Sequence, residues 1–293
     1  MMRIFRAEVL NTRRLTPGMV RITFGGPGLS AFTSTGVGDE YLRVFLPDPG
    51  EHQARLPHST GDSWDFPSGV EPSVMRTYTV RAADPGQGTL DIDFVVHDGG
   101  AAATWAQAAR PGDVVGLNSP TRLYEPPAGL RWQVLLADAT GLPAVARLLE
   151  QTPPGVRTRV VLEVEDPSHR QDLSLGAGTE VAWVYGGNGH SKSRLDGILK
   201  DMDLPGGTGY VWFAGETRVQ RSIRKHLRHE RRLPAGSYKV IGYWTDKREE
   251  WEERWENLDD ETRSWFSELW NDEARDPEEA EDLADARFEA LGL

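Results

Sequence analysis

The chain changes texture once, near residue 130, and this change constrains its fold more than any other feature. From 1 to about 127 the apolar runs are short and β-like: Arg3–Leu10, Val20–Phe24, Tyr41–Leu46, Arg76–Arg81, Leu90–His97 and Asp113–Leu117. Turn signals separate them, among them Thr16-Pro17-Gly18, Asp48-Pro49-Gly50, Asp84-Pro85-Gly86 and Pro111-Gly112-Asp113. Many short strands punctuated in this way predict a closed barrel or a sandwich. One Ala-rich segment, Ala101–Arg110, predicts a short helix that stops at Pro111. Beyond residue 130 the pattern alternates. Strands are predicted at Trp132–Ala137, Arg159–Val164, Val181–Tyr185, Tyr210–Ala214 and Tyr238–Tyr243, with helices at Pro143–Gln151 and Thr217–Glu230. Alternation of this kind implies a parallel sheet with crossover helices. Ligands of such sheets bind beyond the carboxyl ends of the strands. Those ends are Asp138–Leu142, Glu165–Arg170, Gly186–His190, Gly215–Arg218 and Tyr243–Trp244.

Charge marks a third region. The 293 residues carry a formal net charge of −12. Residues 246–293 hold 19 acidic and 6 basic side chains, a net of −13, which leaves the preceding 245 residues at +1. A purely solvating acidic tail would be poor in aromatics, yet this one contains Trp251, Trp255, Trp265 and Trp270. Trp251, Trp255, Leu258, Thr262, Trp265 and Leu269 recur at steps of three and four, which predicts a helical face that needs a surface to cover it. That surface is the chain's own body, or else a partner protein or a second copy. A second short helix is expected after Pro277. The expected organisation is therefore 1–127, 128–245 and a helical acidic tail at 246–293.

Net negative charge disfavours nucleic acid or an anionic membrane surface as the main partner. No apolar run is long enough to span a bilayer, and no signal-like segment opens the chain, so the expected location is cytoplasmic. There are no cysteines. Disulfides, a thiol nucleophile and Cys-ligated metal or iron–sulfur sites are thereby excluded. The seven histidines show no metal-ligand spacing, and His226 and His229 are expected at a solvated surface.

Three segments carry chemistry. In Arg76-Thr77-Tyr78-Thr79, alternation places Arg76 and Tyr78 on one strand face and Thr77 and Thr79 on the other. A guanidinium binds phosphate bidentately, a tyrosine ring stacks on a planar heterocycle, and the Thr79 hydroxyl can reach a ring nitrogen. An ordinary exposed strand is the competing reading. His97-Asp98-Gly99-Gly100, leading into Ala101, Ala102, Thr104 and Trp105, is a strand, a glycine turn and a helix start. Free N–H groups there make an anion site, although a plain tight turn fits equally well. Asp138, Thr140 and Leu142, with Gly215 and Glu216, occupy two strand ends suited to a nucleotide, and helix capping is the alternative for the two acids.

These pieces, in this order, resemble the siderophore-interacting protein family of FAD-dependent ferric-siderophore reductases, within the wider ferredoxin–NADP reductase superfamily. The resemblance runs from about residue 8 to 244 through RRLTPGMVRITFGGPGLSAF, MRTYTVR, LDIDFVVHDGGAAATWAQAARPGD, LLADATGLPAVARLLE, VVLEVEDPS, YVWFAGE and VIGYW. It implies an N-terminal antiparallel β-barrel that binds FAD and a parallel-sheet α/β domain that binds NADPH or NADH. Arg76 would contact the FAD phosphates, Tyr78 would stack on the ring, and Thr79, beside Thr77, would lie near N5. His97, Gly99, Gly100, Ala101, Ala102 and Thr104 would cradle the pyrophosphate, with Trp105 closing the pocket. Asp138, Thr140, Leu142, Gly215 and Glu216, with Tyr243 and Trp244, would meet the nicotinamide nucleotide. The activity implied is electron transfer from NAD(P)H through FAD to the iron of a ferric siderophore, releasing Fe²⁺. Substrate-side basic residues would be Arg43, Lys247 and Arg248, and no catalytic acid or base and no resident metal is required.

The chain departs from the family pattern in three places. Its pyrophosphate turn is short and lacks a proline, Trp183-Val184-Tyr185-Gly186 stands where a basic residue is usual, and after Trp244, where basic residues usually continue, Thr245-Asp246 comes first, then Lys247-Arg248 and the acidic tail. Two other functions fit the same residues. One is a flavin reductase for a quinone, free flavin or redox protein. The other is a flavin-binding interaction or regulatory protein that works through its tail.

Overall fold

The computed structural model describes residues 2–97, 99–272 and 274–293, with the backbone alone at Glu249. Asp98, part of the predicted phosphate turn, lies outside the described residues. The first half is a closed antiparallel barrel of β1 (Ile4–Thr16), β2 (Met19–Gly25), β3 (Tyr41–Phe45), β6 (Met75–Asp84), β7 (Thr89–Val95) and β8 (Val114–Asn118). Around the barrel the order is β1-β2-β7-β6-β3-β8. A small hairpin of β4 (His58–Ser59) and β5 (Trp64–Asp65) sits outside it. Period-two alternation fills the interior: Phe5, Ala7 and Val9 from β1, Ile22 and Phe24 from β2, Ile92 and Phe94 from β7. Strand β1 shifts register between Val9 and Asn11 and again between Arg14 and Thr16. Such bulges bend a strand and let it serve two neighbours, here β2 and β8. Helix α1 (Ala101–Ala108) follows β7 and is held against the barrel by Trp105.

The second half is a five-stranded parallel sheet ordered β11-β10-β9-β12-β13. Its strands are β9 (Trp132–Ala137), β10 (Arg157–Val164), β11 (Thr179–Tyr185), β12 (Gly209–Glu216) and β13 (Tyr238–Trp244). Helix α2 (Leu142–Gln151) packs on one face with Leu135, Leu162 and Trp212. On the other face α3 (Leu195–Lys200) and α4 (Thr217–Lys225) cover Val134, Val211 and Phe213. The chain lays down β9, moves outward to β10 and β11, then returns to the other side of β9 with β12. The strand order therefore reverses between β9 and β12, which makes their carboxyl ends the topological switch point.

Consecutive residues Gly38, Asp39 and Glu40 fasten the barrel to the sheet. A Cβ on Gly38 would lie 2.7 Å from the Leu148 backbone nitrogen of α2, so only glycine permits this approach. Asp39 accepts from Leu123 N (3.1 Å) and from Trp212 Nε1 (3.1 Å). Glu40, fully buried, accepts from Arg147 Nη1 of α2 at 2.7 Å. The same Arg147 nitrogen donates to Val80 O of β6 at 2.7 Å. Glu40 is further satisfied by Thr35, through its backbone N–H and its hydroxyl, and by Ser34.

The tail forms three helices: α5 (Arg248–Glu256), α6 (Asp260–Asn271) and α7 (Pro277–Leu291). Two expectations are corrected here. The tryptophan stripe does not run along one helix. Asp259 caps a fresh helix by accepting Thr262 N at 2.7 Å, and α6 folds so that Trp255 meets Phe266 at 5.3 Å. The segment after Pro277 is not short: at 15 residues it exceeds the 9 of α5 and the 12 of α6. Phe266, Leu269, Ala280 and Ala284 form the tail's own core, with Trp255, Trp265, Phe288 and Leu291 against it.

Helix α7 seats this unit on the basic helix α4. Arg224, 2% exposed, meets Asp282 (2.6 Å), Asp285 (3.1 Å), Glu278 (3.3 Å) and Glu281 (3.4 Å). Arg228 adds Asp282 at 2.7 Å, and Arg221 lies over the Phe288 ring at 5.1 Å. The tail thus docks on its own body. A π-helical turn, His226–Glu230, extends α4 and corrects the expectation for His226, which is buried rather than surface-solvated. The wider turn carries the ring inward, where Nδ1 lies 2.6 Å from Glu230 Oε2 and Nε2 accepts from Arg231 at 3.1 Å. Among the described residues no group of His, Asp and Glu could hold a metal ion, and no helix is long and apolar enough to cross a membrane.

Two outcomes are expected. Arg147→Met leaves Glu40 buried and unpaired and should lose about 3–5 kcal/mol in chemical denaturation; adding Glu40→Gln should recover part of that loss. Arg224→Leu leaves four carboxylates facing one another and should weaken the tail's seat by about 2–3 kcal/mol, since its partners are partly solvated. Early cleavage within 248–293 by a glutamate-specific protease, and red-shifted tryptophan emission, would register the release. Wild-type resistance would show that the aromatic core alone seats the tail.

Candidate active site

Strand β6 presents Arg76-Thr77-Tyr78-Thr79 at the seam where the barrel meets the sheet. Its neighbour Val80 is held on both sides, its N–H by Glu40 O (2.9 Å) and its carbonyl by Arg147. Thr79 is buried, and its Oγ1 has no hydrogen-bond partner among the described residues. A buried hydroxyl left unmatched costs about 1–3 kcal/mol, so its retention calls for an explanation. The Tyr78 ring lies 4.3 Å from that of Phe94. Burial pushes its phenol well above the ordinary range, while the neighbouring Arg76 charge pulls the other way. Arg76 is half-buried and donates to Met75 O at 2.8 Å, and Thr77 is exposed.

The glycine turn follows the expected geometry. Gly99 (φ 83°) and Gly100 (φ 78°) adopt left-handed backbone that other residues avoid. Gly100 caps α1 without a side chain, and the His97 ring lies so close that a Cβ on Gly100 would be 3.1 Å from its Cε1. Ala101 and Thr104 are exposed at this helix start, and Ala102 is buried. Trp105 is placed differently. Its ring belongs to the barrel core, parallel to Phe24 at 6.4 Å, and its Nε1 has no partner among the described residues.

Across the seam stand the ends of β9, β12 and β13. Asp138 Oδ1 accepts from Thr140 N (2.8 Å) and Thr140 Oγ1 (2.6 Å), and Oδ2 accepts from Trp244 Nε1 (2.6 Å). Burial pushes the Asp138 carboxyl upward and these hydrogen bonds oppose it. Both oxygens are thus engaged by the protein. Gly215 allows this contact, because a Cβ there would lie 2.6 Å from Asp138 Oδ2. The Leu142 side chain is packed into the core under α2 and is not available at the surface of the site. Glu216 caps α4 by accepting Val219 N at 3.1 Å through Oε2, while its buried Oε1 has no partner among the described residues. The Tyr243 hydroxyl is also unpartnered among the described residues. Burial drives its pKa upward, with the Asp39 charge adding to this, and the Thr79 hydroxyl approaches without forming a well-made hydrogen bond.

The supposed substrate-side residues are spread out. Lys247, in left-handed backbone (φ 51°), lies 3.5 Å from Glu250, and Arg248 lies 2.6 Å from Glu252. Arg43 packs over the Trp64 ring at 4.9 Å. Sequence reasoning missed Asp39, Glu40 and Arg147, which set the seam, and it singled out the Gly186–His190 loop only as a strand end. The residues present fit the two expected cofactors. The barrel side offers an orphaned hydroxyl, a half-buried ring with its guanidinium, and a glycine cradle at a helix N-terminus. The opposite side is a topological switch point with an unmatched carboxylate oxygen.

Two candidate cofactor sites across one seam suit the transfer of electrons from a nicotinamide to a flavin, and the fold places the chain among the two-domain, FAD-dependent NAD(P)H reductases. Residues 8–124 match the model of the siderophore-interacting FAD-binding domain, and residues 130–247 match that of the siderophore-interacting protein. The chain belongs to the siderophore-interacting protein family. It is 30% identical to an NADPH-dependent ferric-chelate reductase of Escherichia coli, covering 84% of this chain and 94% of that one. It is 29% identical to the ferric vibriobactin reductase ViuB of Vibrio cholerae, covering 81% and 88%. The crystal structure of a siderophore utilization protein from T. fusca superposes with a TM-score of 0.76 at 33% identity, covering 84% and 94%. Residues 248–293 lie beyond both matched family segments.

Thr79→Val removes the orphaned hydroxyl and should leave the flavin-free protein as stable as wild type, or more stable by about 1 kcal/mol. FAD should bind about fivefold more weakly, the equivalent of one ordinary hydrogen bond of about 1 kcal/mol. Calorimetric titration of the flavin-free protein with FAD, beside its thermal melt, would check both; unchanged FAD affinity would remove Thr79 from the site.

Proposed function

We propose that this chain carries electrons from NADPH or NADH, through FAD, to the iron of a ferric siderophore and so releases Fe²⁺. The observation that carries this reading is the orphaned Thr79 hydroxyl held opposite the switch point of the parallel sheet. Bound FAD supplies the conversion of a two-electron hydride donor into the single electrons that Fe³⁺ accepts. Everything else falls to the protein. Arg76 and the Gly99–Gly100 turn bind phosphate, Tyr78 offers a ring face, and Thr79 offers a hydroxyl to a ring nitrogen. The turn Asp138–Leu142 and the Gly215–Glu216 end hold the nicotinamide nucleotide, with Tyr243 and Trp244 beside them. The buried Glu40–Arg147 pair holds the two sides of the seam together. The substrate is the ferric complex, and its hard oxygen ligands hold Fe²⁺ far more weakly than Fe³⁺, so reduction is release.

On this reading the chain divides at 1–127, 128–245 and 246–293, and it works in the cytoplasm. Arg43, Lys247 and Arg248 serve the substrate side. Lys247 and Arg248 already share their charge with Glu250 and Glu252, so they offer an anionic complex only part of it. The seating of α7 on α4 supports a tail that packs away from the substrate rather than over it. Self-association, if the tail supports it, would use Trp270, 53% exposed beside a cavity of about 410 Å³ between β13 and the tail.

The purified protein should absorb in the flavin region and should bleach on anaerobic mixing with NADPH or NADH. It should then deliver Fe²⁺ to a chelating trap from ferric hydroxamate or catecholate complexes. Bleaching with no Fe²⁺ from any complex would assign another electron acceptor. Failure to bleach with either nucleotide would end the reductase reading.

A further inference from the structure

The loop after β11 crosses the site in an uncommon backbone state. Gly186 (φ 114°), Gly187 (φ 64°), Asn188 (φ 54°) and Gly189 (φ 84°) run in succession through left-handed space. Asn188 is the one residue of the four with a side chain, and asparagine is among the few that tolerate this conformation. Its amide makes three hydrogen bonds to three different strand ends. Oδ1 accepts from Ala139 N just beyond β9 (3.0 Å), and Nδ2 donates to Glu163 O at the end of β10 (3.2 Å) and to Gly186 O just beyond β11 (2.9 Å). The loop leaves no slack around this side chain. Gly187 N donates to Ser191 Oγ at 2.8 Å, Gly187 lies directly on the Glu163 carboxylate, and Gly189 lies against the Trp244 ring, 3.7 Å from where its Cβ would be.

Ala139 belongs to the turn at the switch point, where the proposed function seats the nicotinamide nucleotide. The other N–H groups of that turn are answered locally: Thr140 N by the Asp138 side chain, Gly141 N and Leu142 N by Asp138 O. Two side chains reach the turn from elsewhere, Trp244 to Asp138 and Asn188 to Ala139. Trp244 fixes it relative to β13, and Asn188 fixes it relative to β10 and β11. We propose that Asn188 is a positioning residue of the nicotinamide-nucleotide site, an amide staple that sets the Ala139–Thr140 turn against the neighbouring strand ends. Asn188 acts through the turn, and the inference rests on the nucleotide-binding part of the proposed function.

The test is Asn188→Gly, which deletes the amide and keeps a residue at ease at φ 54°. Titration of the FAD-loaded protein with NADP⁺ and with NAD⁺, which bind without reducing the flavin, is expected to give a Kd about tenfold weaker. The KM for the reduced nucleotide should rise in parallel while kcat changes less than twofold. Flavin content should stay at its wild-type value, the melting temperature should fall by only a few degrees, and hydrogen exchange should quicken across 138–141. Ser191→Ala loosens the same loop without touching the turn and is expected to leave Kd within twofold of wild type. Unchanged Kd in Asn188→Gly, a tighter Kd (the loop then being an obstacle), or equal weakening in Ser191→Ala would each overturn the staple. Wild-type protein that binds neither nucleotide would overturn the reductase reading itself, a result separable from the others.

Discussion

The buried pair of Glu40 and Arg147 is the constraint on which the site depends. Arg147 lies on the helix that begins at the switch point, and Glu40 lies at the entry to the barrel's third strand. The guanidinium also takes the carbonyl of Val80, the residue after Thr79. One cation therefore fixes both sides of the seam, α2 with its turn on one side and strand β6 on the other. A buried ion pair adds little net stability over an apolar pair of the same volume, because desolvation of two charges cancels much of their attraction. Its value here is registry. Each remaining valence of Glu40 is taken by Ser34 or Thr35, so the carboxylate has one satisfied geometry, and sliding the domains would leave it unpaired. Gly38 and Asp39 extend the same device by a backbone contact to Leu148 and a bond to Trp212.

Charge in this molecule is arranged by a similar logic on its outer side. The −13 tail and the basic α4 complement one another, so the excess negative charge of the sequence is partly spent on Arg221, Arg224 and Arg228. The two cations at the start of the tail, Lys247 and Arg248, are paired at helical spacing with carboxylates of the same helix. Exposed pairs of that kind are weak, on the order of 0.3–0.5 kcal/mol. A multiply charged anionic complex could draw either side chain away from its partner with little opposition.

Much of this was legible in the sequence because it is written locally. Strand alternation in Ile4–Val9 and Ile92–Phe94, the glycine pair before α1 and the strand-helix rhythm after residue 130 each specify their own geometry within a few residues. The seam was not legible for the opposite reason. Glu40 and Arg147 are 107 positions apart, and each alone looks like an ordinary surface charge. Asn188 sits in a glycine-rich stretch that reads as a plain turn until its amide is seen to bridge three strands. The tail's tryptophans announced a packed aromatic face, half-buried at Trp251, Trp255 and Trp265 but open at Trp270, and they did not announce the break at Asn257–Asp259, because a three-to-four spacing survives a helix–turn–helix when the turn is short. His226 was misplaced since nothing in its spacing signals a π turn. Helix α3 and the β4–β5 hairpin are too short to carry a period.

Among the described residues, three buried polar atoms without partners, Thr79 Oγ1, Tyr243 OH and Glu216 Oε1, come from β6, β13 and β12, the strands that converge at the seam; three more, Trp105 Nε1 in the barrel core, Trp132 Nε1 at the start of β9 and Glu163 Oε2 near the end of β10, lie apart from that convergence. Elsewhere at this interface the polar groups are closely matched: Asp39, Glu40, Asp138 and Arg147 have donors or acceptors on every side. Half of the unmet valences therefore fall where two cofactors would meet. Each unmet group at the seam costs about 1–3 kcal/mol, which the apolar cores of the two halves outweigh while the clasp around Arg147 keeps the seam rigid. The same rigidity stops the seam from collapsing to satisfy them. The site is thus preorganised by a tension between a satisfied clasp and unsatisfied walls, and ligands that supply the missing partners relieve it.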